Sequence, residues 1–344
     1  MAPERIPVWL DCDPGHDDAF AILITALHPS FDLLGISTIH GNSSLQKVTN
    51  NALSILTAIG RPDVPVYPGA NKPFMRPAVH APDIHGDTGI DGTNLLPTPT
   101  RKPQTVPAVE AMRKAIMSTK RGTCTLVVTG TMTNAALLFA AFPETAEHIK
   151  TISIMGGAFT LGNITKSAEF NIYCDPESAA SIFTLPSLSN KIILSPLDLT
   201  HTVLVTTSVR QTLTSTPSTF RTMLYELLMF FAETYIRVFD MTEGPPLHDP
   251  IAVAALMDES FGMEFEYVET GIKVICNGEE MGRTVMVGVD EGVMEHEGKQ
   301  VLGDCGVGGG GVKVKVGRKL NVDRFWEVVM GVVEKADKLS PLNK

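Results

Sequence analysis

Short apolar runs recur along the chain between turn residues, at 8–10, 33–39, 64–67, 125–129, 151–155 and 192–194. They are brief, rich in Val, Ile and Leu, and bounded by polar or turn-forming residues, so each reads as a buried strand. Between them, residues 18–27, 45–59, 108–117, 134–142 and 176–183 carry apolar side chains three and four apart, the spacing of a helix that buries one stripe. This alternation predicts an α/β fold with an open, mainly parallel central sheet flanked by helices on both faces. A longer helical stretch follows at 218–240, then a helix at 251–257, strand-like runs at 266–275, 284–289 and 312–316, and a last helix at 322–337. The segment 303–311, containing GVGGGG, reads as a flexible loop. No internal repeat is visible, and the expectation is a single domain over residues 1–344.

In such sheets ligands bind beyond the carboxyl ends of the strands. Those ends are unusually polar here: DCDPGHDD at 11–18, HGN at 40–42, TGTMTN at 129–134 and MGG at 155–157. No GxGxxG follows the first strand, and the glycine-rich run lacks the GK[ST] ending of a phosphate loop, so nucleotide-phosphate binding is not indicated.

Charge narrows the partners. With 28 basic and 38 acidic residues the chain carries a net charge of −10, which disfavours nucleic acid and anionic membrane surfaces. A composition 44% hydrophobic and 19% charged suits a substantial core, and no apolar run reaches spanning length. The five cysteines are odd in number, far apart and without a CxxC pair, which argues against both a disulfide framework and a thiolate metal site. A reducing compartment follows, and with no signal-peptide pattern the expected location is cytoplasmic.

Asp11, Asp13, Asp17 and Asp18 crowd four carboxylates into eight residues. Converging like charges repel and raise one another's pKa unless a cation or strong donors compensate. A structural reading exists, in which Asp17 and Asp18 favour the positive end of a helix and Asp11 is solvated or caps, but it leaves the density of the cluster unexplained. Hard oxygen ligands, without Cys or a HExxH pair, favour Ca²⁺ or Mg²⁺ over zinc. A haloacid-dehalogenase-type phosphatase would also place DxDx[TV] after the first strand. Here Gly15 stands where Thr or Val is required.

DCDPGHDDA resembles the N-terminal signature of the inosine-uridine-preferring nucleoside hydrolase family. Further blocks resemble it in order: HGN at 40–42, HGDTGIDG at 85–92, MTNAA at 132–136, IMGGA at 154–158, GNITKSAEFNIYCDPESA at 162–179 and HDP at 248–250. The match is strong from residue 7 to about 257 and weak beyond it. The resemblance implies a homodimer or homotetramer that hydrolyses the N-glycosidic bond of small-molecule ribonucleosides. It implies Ca²⁺ ligation by Asp13, Asp18, Asp249 and the main-chain oxygen of Thr133, with Asp17 as the general base acting on a calcium-bound water. It places Asn42 near the reacting centre, Met155 against the sugar, and Asn163, Glu169 and Asn171 on the ribose hydroxyls. If AEFN is extended, Glu169 and Asn171 share one strand face. His248 would donate the leaving-group proton, and His85 resembles the second histidine of base-tolerant and pyrimidine-preferring members.

The purine-specific branch sandwiches the base between tryptophans. Only Trp9 and Trp326 exist here, one beside the first strand and one in the last helix, so that sandwich is not expected. Phe231 and Tyr235, in FFAETY of the long helix, have two readings, closing over the base or ordinary core packing at a spacing of four, and core packing is the first. His40 reads as a packing residue at a strand end, and His16 carries no assignment. The family pattern is broken at Thr131-Met132, where Pro-Leu is common. Two other readings remain open: a hydrolase of another N-riboside such as nicotinamide riboside, or a nucleoside-binding protein without catalysis.

Overall fold

The computed structural model describes residues 5–288 and 311–344. The glycine-rich segment lies outside the described residues except for Gly311. Strands β1 (Ile6–Cys12), β2 (Phe31–Thr38), β3 (Val66–Pro68), β4 (Thr125–Val128), β5 (Thr151–Met155), β6 (Ile192–Ser195), β7 (Glu266–Val274), β8 (Thr284–Val287) and β9 (Val314–Lys319) form one sheet in the order β3-β2-β1-β4-β5-β6-β9-β7-β8. From β3 to β9 all pairings are parallel, whereas β7 runs antiparallel to both β9 and β8. The expected mainly parallel sheet with flanking helices is what forms.

The two-residue period of the strands sorts side chains onto two cores. Val8, Leu10 and Cys12 of β1 and Val127 of β4 face one layer, with the helices Asp18–Leu27, Leu45–Ala58, Asp249–Ala254 and Val322–Leu339. Trp9, Leu126, Val128, Ile152 and Ile154 face the other, with the helices Ala108–Ser118, Thr133–Ala141 and Pro176–Phe183. Both faces of the central strands are therefore covered, which is why their sequences are apolar throughout. Trp9 and Trp326 are core residues.

Strand β9, the last in the chain, inserts beside β6, pairing Ile192 with Val314 and Leu194 with Val316, and both valines become fully buried. One departure from expectation has a local cause. The AEFN segment is not extended. Glu169 is instead the N-cap of the helix Phe170–Cys174, its carboxylate accepting from the amides of Asn171 and Ile172, an exchange that satisfies donors a helix start otherwise leaves open. Among the described residues, no helix is long and apolar enough to cross a membrane.

Candidate active site

The carboxyl ends of β1, β2, β4 and β5 deliver the loops anticipated from sequence to one place. They surround a cavity lined by Asp17, Asn42, His85, Thr129, Met155, Asn163, Glu169, Asn171, Phe231, Tyr235, His248 and Asp249, among others. All nine residues expected to touch substrate are in this wall: Asp17, Asn42, His85, Met155, Asn163, Glu169, Asn171, His248 and Asp249.

The acidic cluster is built on two helix starts. Asp17 occupies the N-cap of the helix Asp18–Leu27, yet its side chain makes no capping hydrogen bond. Asp18 accepts from the Gly15 amide at 2.9 Å and from Thr129 Oγ1 at 3.0 Å. Asp249 opens the helix Asp249–Ala254, which is pinned to the sheet where Ser153 Oγ donates to the Ala252 carbonyl. One oxygen from each of Asp17, Asp18 and Asp249 lies within 4.8 Å of the others. Asp13 stands beside them: its Oδ2 accepts from the Asn42 amide at 2.7 Å, while Oδ1 is buried without any hydrogen-bond partner.

Such a cluster is unfavourable unless a cation enters it. Burial first, then the charge of Asp18, pushes Asp17 up to about 7. Burial raises Asp13, Asp18 and Asp249 as well, with neighbouring carboxylates adding to the shift at Asp13 and Asp249. An orphaned carboxylate oxygen, three converging carboxylates and an all-oxygen donor set fit a hard divalent cation, which Asp13, Asp18 and Asp249 could hold. The fourth expected ligand is the main-chain oxygen of Thr133. Thr133 is the first residue of the helix Thr133–Ala141, does not line the cavity, and its hydroxyl donates to Asp175 at 2.5 Å. Thr129, at the end of β4, is the threonine that reaches both the cavity and Asp18.

Glycine is needed at two points. Gly157, with φ of 78°, turns its amide onto Glu169 Oε2 at 3.0 Å. A Cβ on Gly41 would run into Asp13 Oδ2. Gly41→Ala should therefore displace that carboxylate and weaken divalent-cation affinity by about 10–100-fold; titration calorimetry giving an unchanged Kd would refute this.

Amides and one further carboxylate continue the wall. Asn171 Nδ2 donates to the Thr129 carbonyl at 2.8 Å, and Asn163 Oδ1 accepts from the Phe170 amide at 2.9 Å. Asn163 thus braces its loop and lines the cavity at once. Glu169 is buried and raised by desolvation, an effect its three main-chain amide donors oppose.

Aromatic rings complete the wall, and here the core reading of Phe231 and Tyr235 is corrected. Both project from the helix Thr219–Phe239 into the cavity wall, with their rings edge to face at 4.6 Å. Tyr235 Oη lies 2.8 Å from His248 Nε2, and Thr200 Oγ1 lies 2.7 Å from His248 Nδ1. Burial, aided by His201 and His85, holds His248 well below the usual imidazole range. Closure over the base is the second sequence reading of this tyrosine, ranked below core packing because the same helix spacing serves both roles. His40 is buried as expected, its Nε2 contacting Thr133 and Thr131 hydroxyls at 3.1 and 3.3 Å.

A family model described as inosine-uridine preferring nucleoside hydrolase matches residues 8–327. The uridine nucleosidase of Saccharomyces cerevisiae is 39% identical over 354 residues, covering 99% of this chain and 100% of that protein. The pyrimidine-specific ribonucleoside hydrolase RihA of Citrobacter koseri is 39% identical over 298 residues, covering 83% and 94%. A solved plant nucleoside hydrolase superposes with a TM-score of 0.81 at 29% identity, covering 95% of this chain and 98% of that one. The purine-preferring ribonucleoside hydrolase of Gardnerella vaginalis gives 0.82 at 28% identity, covering 97% and 100%. The fold is that of a nucleoside hydrolase. The chain belongs to the inosine-uridine preferring nucleoside hydrolase family.

Proposed function

We propose that this chain hydrolyses pyrimidine ribonucleosides, uridine among them, to ribose and free base, with Ca²⁺ held by Asp13, Asp18 and Asp249 and with Asp17 as general base. The observation that carries this reading is the make-up of one cavity wall, which combines carboxylates and amides with aromatic and imidazole rings. A polyhydroxyl sugar suits the first and a flat base the second. The similarity to a yeast uridine nucleosidase and a Citrobacter pyrimidine-specific hydrolase favours pyrimidines, as does the burial of both tryptophans in the core. The main-chain ligand is assigned to Thr129 in place of Thr133.

When bound, Ca²⁺ would supply orientation of the ribose hydroxyls and polarisation of water. Asp17, uncommitted to helix capping, takes the proton as water attacks the anomeric carbon and the C–N bond breaks. Positive charge then grows on the sugar ring. Glu169, Asn163 and Asn171 are fixed by main-chain hydrogen bonds before substrate arrives, so they stabilise that charge without reorganising. The departing base needs a proton, and the Thr200–His248–Tyr235 chain can supply one. If Thr200 donates to Nδ1, Nε2–H donates to Tyr235 and frees the phenol proton for the base. Tyr235→Phe should accordingly lower kcat by roughly 10–100-fold with little change in melting temperature; wild-type kcat would remove the phenol from the mechanism.

The deciding experiment incubates the protein with uridine, cytidine, inosine and adenosine and measures free ribose, with and without a calcium chelator. Ribose from uridine, lost on chelation and restored by Ca²⁺, is expected. No ribose from any nucleoside rejects the activity, and release indifferent to chelation rejects the metal.

A further inference from the structure

His16 sits inside DPGHDD but is not part of the cavity wall. It is fully buried, with the rings of His85, Phe230 and Phe231 stacked on it at centroid distances of 5.3, 5.4 and 5.3 Å. Both of its ring nitrogens are engaged. Nε2 lies 2.7 Å from the main-chain oxygen of Asp91, and Nδ1 lies 3.1 Å from Nδ1 of His85.

These two contacts fix the protons. A carbonyl only accepts, so Nε2 of His16 carries hydrogen. Enclosed by three rings, with no carboxylate among its hydrogen-bond partners, His16 is neutral and its Nδ1 is a bare lone pair. The hydrogen between the two imidazoles therefore belongs to Nδ1 of His85, and a neutral His85 is left with an unprotonated Nε2. Burial holds His85 well below its usual range. The Nδ1 edge of His85 is packed on the loop after β1, since a Cβ on Gly15 would stand 2.6 Å from Nδ1 and 2.7 Å from Cε1. His85 lines the cavity, and no hydrogen-bond partner for its Nε2 occurs among the described residues. The HGDTGID turn exists to hold the Asp91 carbonyl in place: the Asp91 amide donates to the His85 carbonyl at 3.0 Å, and its carboxylate accepts from the amides of Asp87 and Thr88.

We propose that His16 is a positioning residue that fixes His85 as its Nδ1–H tautomer, so that the cavity wall presents an acceptor, Nε2, selecting nucleobases that carry a ring N–H donor. Free imidazole side chains favour the Nε2–H form, so the partner is required. The selective consequence rests on the nucleoside reading above; the tautomer does not.

The test has two arms. In protein labelled with ¹⁵N-histidine, two-bond ¹H–¹⁵N correlation reports the tautomer of His85, assigned by the signal lost in His85→Gln. Wild type should show a protonated Nδ1, His16→Asn should keep it because the amide oxygen replaces the lost acceptor, and His16→Leu should revert to Nε2–H. An Nε2–H wild type, or a His16→Leu variant that stays Nδ1–H while folded by circular dichroism, overturns the proposal. In the second arm, kcat/KM for uridine over 3-methyluridine should be about 10–100-fold in wild type and His16→Asn and should fall several-fold in His16→Leu. An unchanged ratio in His16→Leu overturns the selective role. If wild type releases no ribose from any nucleoside, the nucleoside reading fails while the spectra still decide the tautomer.

Discussion

Asp17→Asn is expected to lower kcat by about 10²–10⁴-fold, the range a positioned general base contributes. The residue sits where a carboxylate would ordinarily accept from the second or third amide of the helix, yet it makes no such bond and lines the cavity. A capping residue is replaceable at small cost to stability; one withheld from capping is available for proton transfer. The melting temperature should hold or rise, because the substitution removes one of several carboxylates that repel one another. The acid limb of the kcat/KM profile should vanish with the carboxylate. Turnover within a few-fold of wild type, at unchanged folding, would take Asp17 out of the chemistry.

Calcium should stabilise the chelated protein, and more strongly at about pH 7.5 than at about pH 5. The sign follows from the direction of the shifts. The folded-state pKa values of Asp13, Asp17, Asp18 and Asp249 are raised above the ordinary carboxylate value. Between the unfolded and folded values the metal-free native state holds more protons than the unfolded chain, so its stability falls as pH rises through that window. A divalent ion reverses this by favouring the ionised carboxylates. Calcium at a hundred times its Kd would contribute about 2.7 kcal/mol, a shift of a few degrees for a chain of this length. Scanning calorimetry across pH, with chelator or with excess Ca²⁺, measures both effects. Equal calcium increments at the two pH values, or an increment that survives Asp249→Asn, would contradict the assigned ligands.

How much of this was legible in the chain differs from one residue to the next. The short apolar run Val8, Trp9 and Leu10 and the helical spacing of 18–27 forecast the layers, because a strand covered on both faces must be apolar throughout. The strand-end motifs carrying Asp13, Asn42 and Met155 were readable as a site, since an α/β sheet gathers its carboxyl ends at one edge. Glu169 was assigned to the site but to the wrong backbone: an N-cap and an extended residue share φ and ψ, and only the amides that follow distinguish them. Thr133 and Thr129 are both threonines near the end of β4, and sequence could not say which faces the carboxylates.

By itself the sequence determined the sheet class and the acidic cluster, which follow from short-range pattern, while the cavity's other polar residues were assigned through the resemblance of contiguous motifs to one family. Tertiary structure alone decided that β9 enters beside β6, that Tyr235 meets His248, that Thr129 rather than Thr133 adjoins Asp18, and that His16 bonds His85. Each of these joins segments distant in sequence or selects between equivalent neighbours. Such choices are made by the packing of helices against the sheet, which no local periodicity encodes.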